Sequence, residues 1–154
     1  MLVSTAIKRI KDAGHDISDE YTHERCIEFL NTALQQTSSL LIAAQYPALV
    51  QEMDVRDGDT LPKNYMQCCG TYPLRMTAGK AKILSDDEYV RFRYWATPAM
   101  LTAEDEELPY PHDGINEVIV RAAVILALNE NEYDVTQDNA ILSALQQAIA
   151  SAMA

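Results

Sequence analysis

Few residues in this sequence have the types and spacing that catalysis requires. His23 and Cys26 are three positions apart, which would place both side chains on one face of a helix. A cysteine nucleophile needs a base and a third group that orients the base, and any helix carrying both residues would show this spacing. Phosphate-binding glycine loops, the G-x-S-x-G elbow and the H-E-x-x-H zinc motif do not occur. We therefore predict no catalytic residues and no enzymatic activity. A small enzyme using His23, Cys26 or the acidic run at residues 104–107 is the less favoured hypothesis.

The cysteines and histidines do not form a recognisable metal site. The chain has three of each, and their spacing does not match that of known metal ligands. Three cysteines cannot build a disulfide framework, and adjacent cysteines seldom bond to each other. Buried or half-buried thiols are the preferred interpretation, with neither a metal nor another cofactor predicted. The residues concerned are Cys26, Cys68, Cys69, His15, His23 and His112.

Four consecutive acids form the most acidic stretch of the sequence: Glu104, Asp105, Glu106 and Glu107. Hard cations bind several carboxylate oxygens at once, but four neighbours on a loop point in different directions and lack the spacing of a calcium loop. A solvated acidic loop is therefore the preferred interpretation.

Charge is distributed unevenly along the chain, whose net charge is −11. Residues 95–154 contain ten acids and a single base, Arg121, whereas residues 1–94 are nearly balanced. An acidic face gains no counterion release from DNA phosphates, which argues against DNA binding as the function. Such a face could line a path that DNA passes without adhering, or it could serve solubility.

The segment YVRFRYW, residues 89–95, alternates as a β-strand does. One face carries Val90, Phe92 and Tyr94, which belong in a core. The other face carries two arginines beside aromatic rings, and three interpretations of it are open: cation–π stacking, a protein–protein contact, or an ordinary half-exposed sheet face. The candidate interface residues on this face are Arg91, Arg93 and Trp95.

The elements around this strand are mostly helical in pattern. Apolar residues at helical spacing predict helices over 4–13, from 19–22 to about 44, from 114 to about 130, and from 134–136 to the last residues. Predicted caps are Ser4, Asp113 and either Asp134 or Thr136. The third helix is apolar nearly all round, which predicts a central or shared position. Residues 51–63 read as a loop, and 74–84 as short strands around a turn at Gly79-Lys80.

These elements predict a mainly α fold. We expect a helical bundle of three to four helices with an inserted β-hairpin or small antiparallel sheet. The whole chain, residues 1–154, would form one domain, with its β-rich insertion at about 61–98.

The last residues, AIASAMA, carry no charged side chain. An apolar end of this kind should dock on the chain itself or on a partner, so Ile149 and Met153 are further candidate interface residues. The first residues lack the charged-then-apolar order of a signal peptide, and no run of about 18 apolar residues occurs. We therefore expect that the protein does not associate with a membrane and that it is made in the host cytoplasm.

Three segments stand in a distinctive order: LPKNYMQCCGTYPLRM, DDEYVRFRYWATPAML and DEELPYPHDGINEVIVRAAVILALNENEYDV. They contain a Leu-Pro before a strand, an aromatic strand closing in a small-x-Pro turn, an acidic residue before a Pro-containing link, and a long alanine-rich helix ending in Asn-Glu. In this order the chain resembles the head–tail connector (adaptor) proteins of tailed bacteriophages. The resemblance covers residues 61–138.

The resemblance implies a structural virion protein located in the neck, between capsid and tail. Such proteins form a homo-oligomeric ring, typically a dodecamer, which docks beneath the portal protein, extends the DNA channel and offers tail or neck proteins a surface. DNA passes through the channel without specific binding. The implied fold is a helical bundle with a β-hairpin or extended loop, often with a C-terminal end that reaches the portal.

In that role the aromatic strand would be a contact surface and the apolar C-terminal end a docking segment. The four acids would line either the channel or an interface, a choice that the sequence leaves open. The alternative function is a small acidic binding module, such as a DNA mimic or inhibitor, which would need a stripe of exposed carboxylates.

Overall fold

Helices and strands both contribute substantially to the structure, a computed structural model that describes residues 1–14 and 21–154. Within those residues we observe four α-helices, five β-strands and two short 3-10 turns. The helices are α1 (Val3–Ala13), α2 (His23–Ala43), α3 (Asp113–Leu128) and α4 (Asn139–Met153). The strands are β1 (Val50–Arg56), β2 (Tyr65–Cys68), β3 (Leu74–Thr77), β4 (Lys80–Ile83) and β5 (Tyr89–Ala96). The 3-10 turns are Pro47–Leu49 and Val135–Gln137.

The prediction of a mainly α fold is wrong. Helices account for 47% of the residues and strands for 20%, in two antiparallel sheets, so the fold is mixed α/β. The strand that the sequence did not reveal is β1, which lies within the segment predicted to be a loop. Val50, Met53 and Val55 are the residues of this strand that are at least partly buried, whereas Glu52 and Asp54 are exposed. Because the exposed face is charged, the alternation resembles a polar loop.

The chain divides into two compact units. Residues Met1–Ala48 and Pro98–Ala154 form the helical unit, and Leu49–Thr97 form the β unit. In the helical unit α3 packs against α1, α2 and α4, which confirms its predicted central position. Its fully buried residues include Ile115, Ile119 and Leu126. Burial of each of these three aliphatic side chains stabilises the folded state by about 1.5–3 kcal/mol, so together they contribute several kcal/mol.

The predicted helix caps differ from the observed ones. Leu2 precedes α1 in place of Ser4, and His112 precedes α3 in place of Asp113. Asp138 caps α4, its Oδ1 accepting hydrogen bonds from the backbone N–H groups of the helix's first turn. Asp134 instead caps the 3-10 turn Val135–Gln137. The α2 cap is Thr22, and the earlier start considered for this helix, residue 19, lies outside the described residues.

In the β unit, β5 is the central strand of a three-stranded antiparallel sheet, flanked by β1 and β2. Strands β3 and β4 form a separate antiparallel hairpin, which confirms the short strands predicted over 74–84. The buried cluster of this unit joins one face of β5 to β1 and β4. Its members are Val55, Ala81, Val90, Phe92, Tyr94 and Ala96. The prediction that Val90, Phe92 and Tyr94 share a core face is therefore confirmed.

The β3–β4 hairpin closes through a two-residue turn, one position earlier than predicted. Ala78 and Gly79 both have positive φ, of 53° and 76°. Two-residue hairpin turns with both central φ angles positive match the right-handed twist of the strands, and glycine adopts this conformation without steric cost. Gly79 therefore fixes the register Thr77↔Lys80.

Candidate interaction surfaces

The outer face of β5 lies on the side of the sheet opposite the buried cluster. On that side its arginines are next to acidic residues of the paired strand β1. The antiparallel register places Arg91 opposite Asp54 and Arg93 opposite Glu52. Side chains directly opposite each other on antiparallel strands lie about 4.5–5.5 Å apart at Cβ, so opposite charges stabilise the pairing. The register therefore explains why the exposed face of β1 is acidic where that of β5 is basic. The sequence analysis did not predict this pairing.

Arg91 is held by its neighbours on β1. Its Nε donates to Asp54 Oδ1 at 2.9 Å and its Nη2 to Asp54 Oδ2 at 3.4 Å, while Glu52 Oε1 lies 3.6 Å from Nε. The hydrogen bond from Arg91 lowers the pKa of Asp54, and the same bond raises the pKa of Arg91. All three side chains are exposed, so the cluster contributes little to stability but neutralises the Arg91 charge.

The other two candidate residues on this face have different surroundings. The exposed guanidinium of Arg93 has no hydrogen-bond or ion-pair partner among residues 1–14 and 21–154. Trp95, by contrast, is only 8% exposed, so its indole is not an open anchor for a partner. The cation–π contact that the structure does show lies elsewhere, with Arg25 above the ring of Phe29 on α2. Arg93 is therefore the available cation of the face.

The acidic loop is bound to the start of α1 through its backbone. Val3 N–H donates to the Glu106 carbonyl at 2.9 Å, and Ser4 N–H donates to the Glu104 carbonyl at 3.1 Å. The first N–H groups of a helix have no partner within the helix, and they carry its partial positive charge. Placing an acidic loop there satisfies these donors, which accounts for the absence of a side-chain cap at Leu2.

Two of the four acids use their carboxylates internally. Glu106 Oε1 accepts hydrogen bonds from Thr102 Oγ1 at 2.7 Å, Thr102 N–H at 2.9 Å and Ala103 N–H at 2.8 Å. The bonds from Thr102 and Ala103 lower the pKa of Glu106. Glu104 Oε1 is paired with Nδ1 of His23 at the start of α2. Asp105 and Glu107 are exposed and have no side-chain partner within the described chain, so they alone present free charge.

Buried asparagines fix both ends of the acidic link. Asn31 on α2 donates from Nδ2 to the Leu101 carbonyl at 3.0 Å, and its Oδ1 accepts from Leu101 N–H at 2.7 Å. Asn116 on α3 donates from Nδ2 to the Tyr110 carbonyl at 2.8 Å. Polar side chains at buried helical positions are the only sequence signal for these anchors. They hold residues 101–110 as a defined segment of the helical unit.

The C-terminal end divides into a buried and an exposed part. Ile149 is buried in the helical unit, whereas Met153 is 51% exposed. Met153 and Ala152 line an open apolar groove of about 460 Å³ together with Tyr46, Pro47 and Pro111. The groove was not predicted, because its lining comes from three separate parts of the sequence: the residues after α2, Pro111 before α3, and the end of α4.

His23 and Cys26, the residues considered for chemistry, have different surroundings. His23 is exposed and paired with Glu104, and Cys26 is buried with Sγ 3.9 Å from the Tyr21 carbonyl. Cys68 and Cys69 are half-buried, which confirms the interpretation of the thiols. Within the described chain no group of three or more His, Cys, Asp or Glu side chains could hold a metal ion. His15 lies outside the described residues.

None of the helices described is long and apolar enough to cross a membrane. In comparisons with known proteins, no family model matches the chain, and no curated protein matches it either. We therefore infer function from the motif order and from the surfaces described above.

Proposed function

We propose that this protein is a subunit of a head–tail connector ring in a tailed bacteriophage. The observation that carries the proposal is the order of motifs over residues 61–138, which resembles that of connector proteins. The element order is compatible with it: a β unit lies between α2 and α3 in sequence, and the Pro-containing link leads into the alanine-rich α3. The ring would dock beneath the portal, extend the DNA channel and provide a surface for the tail.

The surfaces suit an assembly protein better than an enzyme. Arg93, Asp105 and Glu107 are exposed, and their charged groups have no side-chain partner among the described residues, so they are available to a binding partner. In the proposed ring, Met153 and its apolar groove would dock a portal or neck protein, because exposed apolar patches mark contact sites. Asp105 and Glu107 would face the channel or a neighbouring subunit, and a net charge of −11 would keep DNA from adhering.

The alternative of a DNA mimic or acidic inhibitor is less well supported. A mimic needs a stripe of free carboxylates that replaces the phosphates of a nucleic acid. Here Glu106 is engaged within the loop, Glu104 is paired with His23, and Asp54 is bound to Arg91. The remaining free acids of the loop do not form a stripe, so no specific observation favours this function.

Sedimentation with the portal protein from the same phage genome tests the proposal. We expect the chain to co-migrate with the portal as a multi-copy ring, with a mass increase of many 17.2 kDa subunits. A chain carrying Met153→Asp should bind less, because a charge in the apolar groove loses its hydration without gaining a partner. The exposed Asp86→Lys variant is a control with an altered charge in the β unit. Failure of the wild-type chain to join the portal at any salt concentration would contradict the proposal.

A further inference from the structure

The backbone of β5 uses its two edges for different partners. The Arg93 carbonyl accepts a hydrogen bond from Cys69 N–H at 2.8 Å, and Arg93 N–H donates to the Tyr72 hydroxyl at 3.1 Å. Both groups of Arg93 therefore point to the β2 side. The N–H and C=O of one residue in an antiparallel ladder point the same way, and the direction alternates along the strand. Phe92 consequently points to β1, where its ladder partner is Met53.

The same alternation turns the backbone groups of Glu52 and Asp54 away from β5, towards the outer edge of β1. Neither the N–H nor the carbonyl of these two residues has a hydrogen-bond partner in the part of the chain that the structure describes. Arg56 N–H points the same way, but it donates to Asp59 Oδ2 at 2.9 Å, so the open edge ends there. The unpaired edge is therefore a row of donors and acceptors with which another strand can pair.

The side chains on the two faces of β1 define what an added strand should carry. Towards the buried cluster β1 presents apolar side chains, Met53 among them, so the added strand should be apolar on that face. On the outer face Glu52 and Asp54 share the guanidinium of Arg91, which leaves one negative charge in excess. Arg93 lies opposite Glu52 in the ladder but forms no ion pair with it. Bases on the added strand, opposite the two acids, would pair with the excess charge.

We propose that the outer edge of β1 binds an extended segment of a different protein, in which basic and apolar residues alternate, as an added strand. Main-chain hydrogen bonds give such a complex its affinity, and alternate side chains give it specificity. This binding goes beyond the connector function and is independent of it.

A second copy of β1 is a poor occupant of the same edge. Consider the antiparallel registers in which both acids of each copy lie opposite a residue of β1. Each of these registers places an acid opposite an acid: Glu52 against Glu52, Glu52 against Asp54, or Asp54 against Asp54. Like charges directly opposite each other destabilise a strand pair, so the acids of this edge oppose self-pairing while they favour a basic strand.

A peptide titration tests the proposal. The probe is a blocked, fluorescently labelled peptide as long as β1, seven residues, that alternates lysine and valine. Because a chain of net charge −11 attracts any cationic peptide, a second probe has the same sequence with N-methyl groups on the lysine amides. The methylated probe keeps its charge but cannot donate hydrogen bonds to the β1 carbonyls. We expect saturable binding of the first probe, measured by fluorescence anisotropy, and about tenfold or more weaker binding of the second.

Two variants of the protein locate the binding on β1. Glu52→Pro removes an outward N–H and leaves the ladder with β5 in place, because an edge strand tolerates proline where its N–H faces solvent. It should weaken binding about tenfold or more. Glu52→Lys reverses a charge on the outer face and should weaken binding about threefold or more. The exposed Asp86→Lys changes the net charge equally and should alter binding less than about twofold. Circular dichroism checks that each variant is folded.

Hydrogen exchange followed by NMR gives the same answer in the unaltered chain, even if Glu52→Pro does not fold. Saturating peptide should slow exchange of the Glu52 and Asp54 amides about tenfold or more, because both become hydrogen-bonded. Equal binding of the two probes, or protection confined to other amides, would overturn the proposal. Self-association of the wild-type chain that Glu52→Lys or Glu52→Pro abolishes would also overturn it, since a second copy would then be the occupant. None of these assays contains a portal protein, so their failure leaves the connector function unaffected.

Discussion

Arg91 and Arg93 have the same residue type and the same strand face, yet they differ in what they can do. Arg91 is bound by Asp54 through two nitrogen–oxygen contacts, whereas Arg93 has no such partner within the described residues. The alternation of β5 predicted that both would be exposed, and they are. The sequence could not predict which arginine would be neutralised, because that depends on the register between β5 and β1. Strand β1 itself was not predicted, since its exposed face is charged.

Trp95 should contribute to stability rather than to a contact, in view of its 8% exposure. This differs from the assignment of Trp95 as a candidate interface residue. We expect Trp95→Ala to lower the free energy of unfolding by about 3–5 kcal/mol, the usual cost of truncating a buried large aromatic side chain. Urea denaturation followed by circular dichroism measures the change. Arg93→Ala on the same face should change it by less than about 0.5 kcal/mol, as exposed substitutions do; equal effects would contradict the burial.

Tyr65 should make the protein less stable in alkali. Burial raises the pKa of its hydroxyl to about 12, with a further contribution from Cys68, whose Sγ lies 3.4 Å from the hydroxyl oxygen. The unfolded tyrosine ionises near pH 10, so between about pH 10 and 12 the folded state holds more protons than the unfolded state. Stability from this group is therefore complete below pH 10 and is lost as pH rises towards 12.

Tyr65→Phe should reduce that alkaline loss. Urea midpoints measured from pH 8 to pH 11 would show a smaller fall for the variant than for the wild type. Tyr89→Phe removes a hydroxyl from an exposed tyrosine and serves as the matched control. Parallel curves for Tyr65→Phe and the wild type would show that Tyr65 does not ionise as its burial requires.

At the scale of elements, the helices were predicted well and the sheet only in part. The apolar period of 3.6 located α2, α3 and α4, because each buries a wide stripe. The β3–β4 hairpin was found through its Gly79 turn. Strand β1 was missed because its pairing with β5 replaces burial on one face by ion pairs. The period of apolar residues reports burial, so it does not reveal a strand whose exposed face is stabilised by opposite charges.

The connection from Pro98 to α3 shows a second limit of sequence patterns. Its proline and acidic residues predict a solvated loop, yet Leu101, Leu108 and Tyr110 are buried and Glu106 bonds its own loop. The anchors that hold it are Asn31 and Asn116, each separate from the acidic run in sequence. Hydrogen bonds between a helix side chain and a loop backbone leave no periodic signal.

Asn31 should be essential to this arrangement. Asn31→Ala would leave the N–H and carbonyl groups of Leu101 buried without partners, at a cost of about 2–4 kcal/mol in the free energy of unfolding. Thermal and urea denaturation would measure it. The matched control is Thr32→Ala on the same helix, since Thr32 donates only to the Glu28 carbonyl of α2 itself. Similar losses from the two substitutions would show that the Leu101 segment does not depend on Asn31.

At the scale of the whole molecule, the two units differ in what stabilises them. The helical unit packs α1, α2 and α4 around the apolar α3, whereas the β unit has a small cluster centred on Phe92. A segment of 49 residues without disulfides buries a limited core, so the β unit is expected to be the less stable of the two. The first strand of the β unit, β1, is paired with its last strand, β5, and Val50 is the ladder partner of Trp95.

That pairing makes the β unit removable. Partner residues of an antiparallel ladder lie about 4.5–5.5 Å apart at Cα, so a short Gly-Ser linker can replace residues 50–96 without straining the helical unit. We expect the shortened chain to keep its helical circular dichroism and a cooperative thermal transition. Ile119→Asp in the shortened chain should abolish that transition, because it buries an unpaired charge at a fully buried position.

The shortened chain also assigns the proposed portal contact to one unit. Met153 and its apolar groove belong to the helical unit. We therefore expect the shortened chain still to sediment with the portal. Arg93 belongs to the β unit, so loss of portal binding in a shortened chain that is otherwise folded would move the contact to the outer face of β5. In that case Arg93→Glu in the full chain should reproduce the loss, whereas Met153→Asp should not.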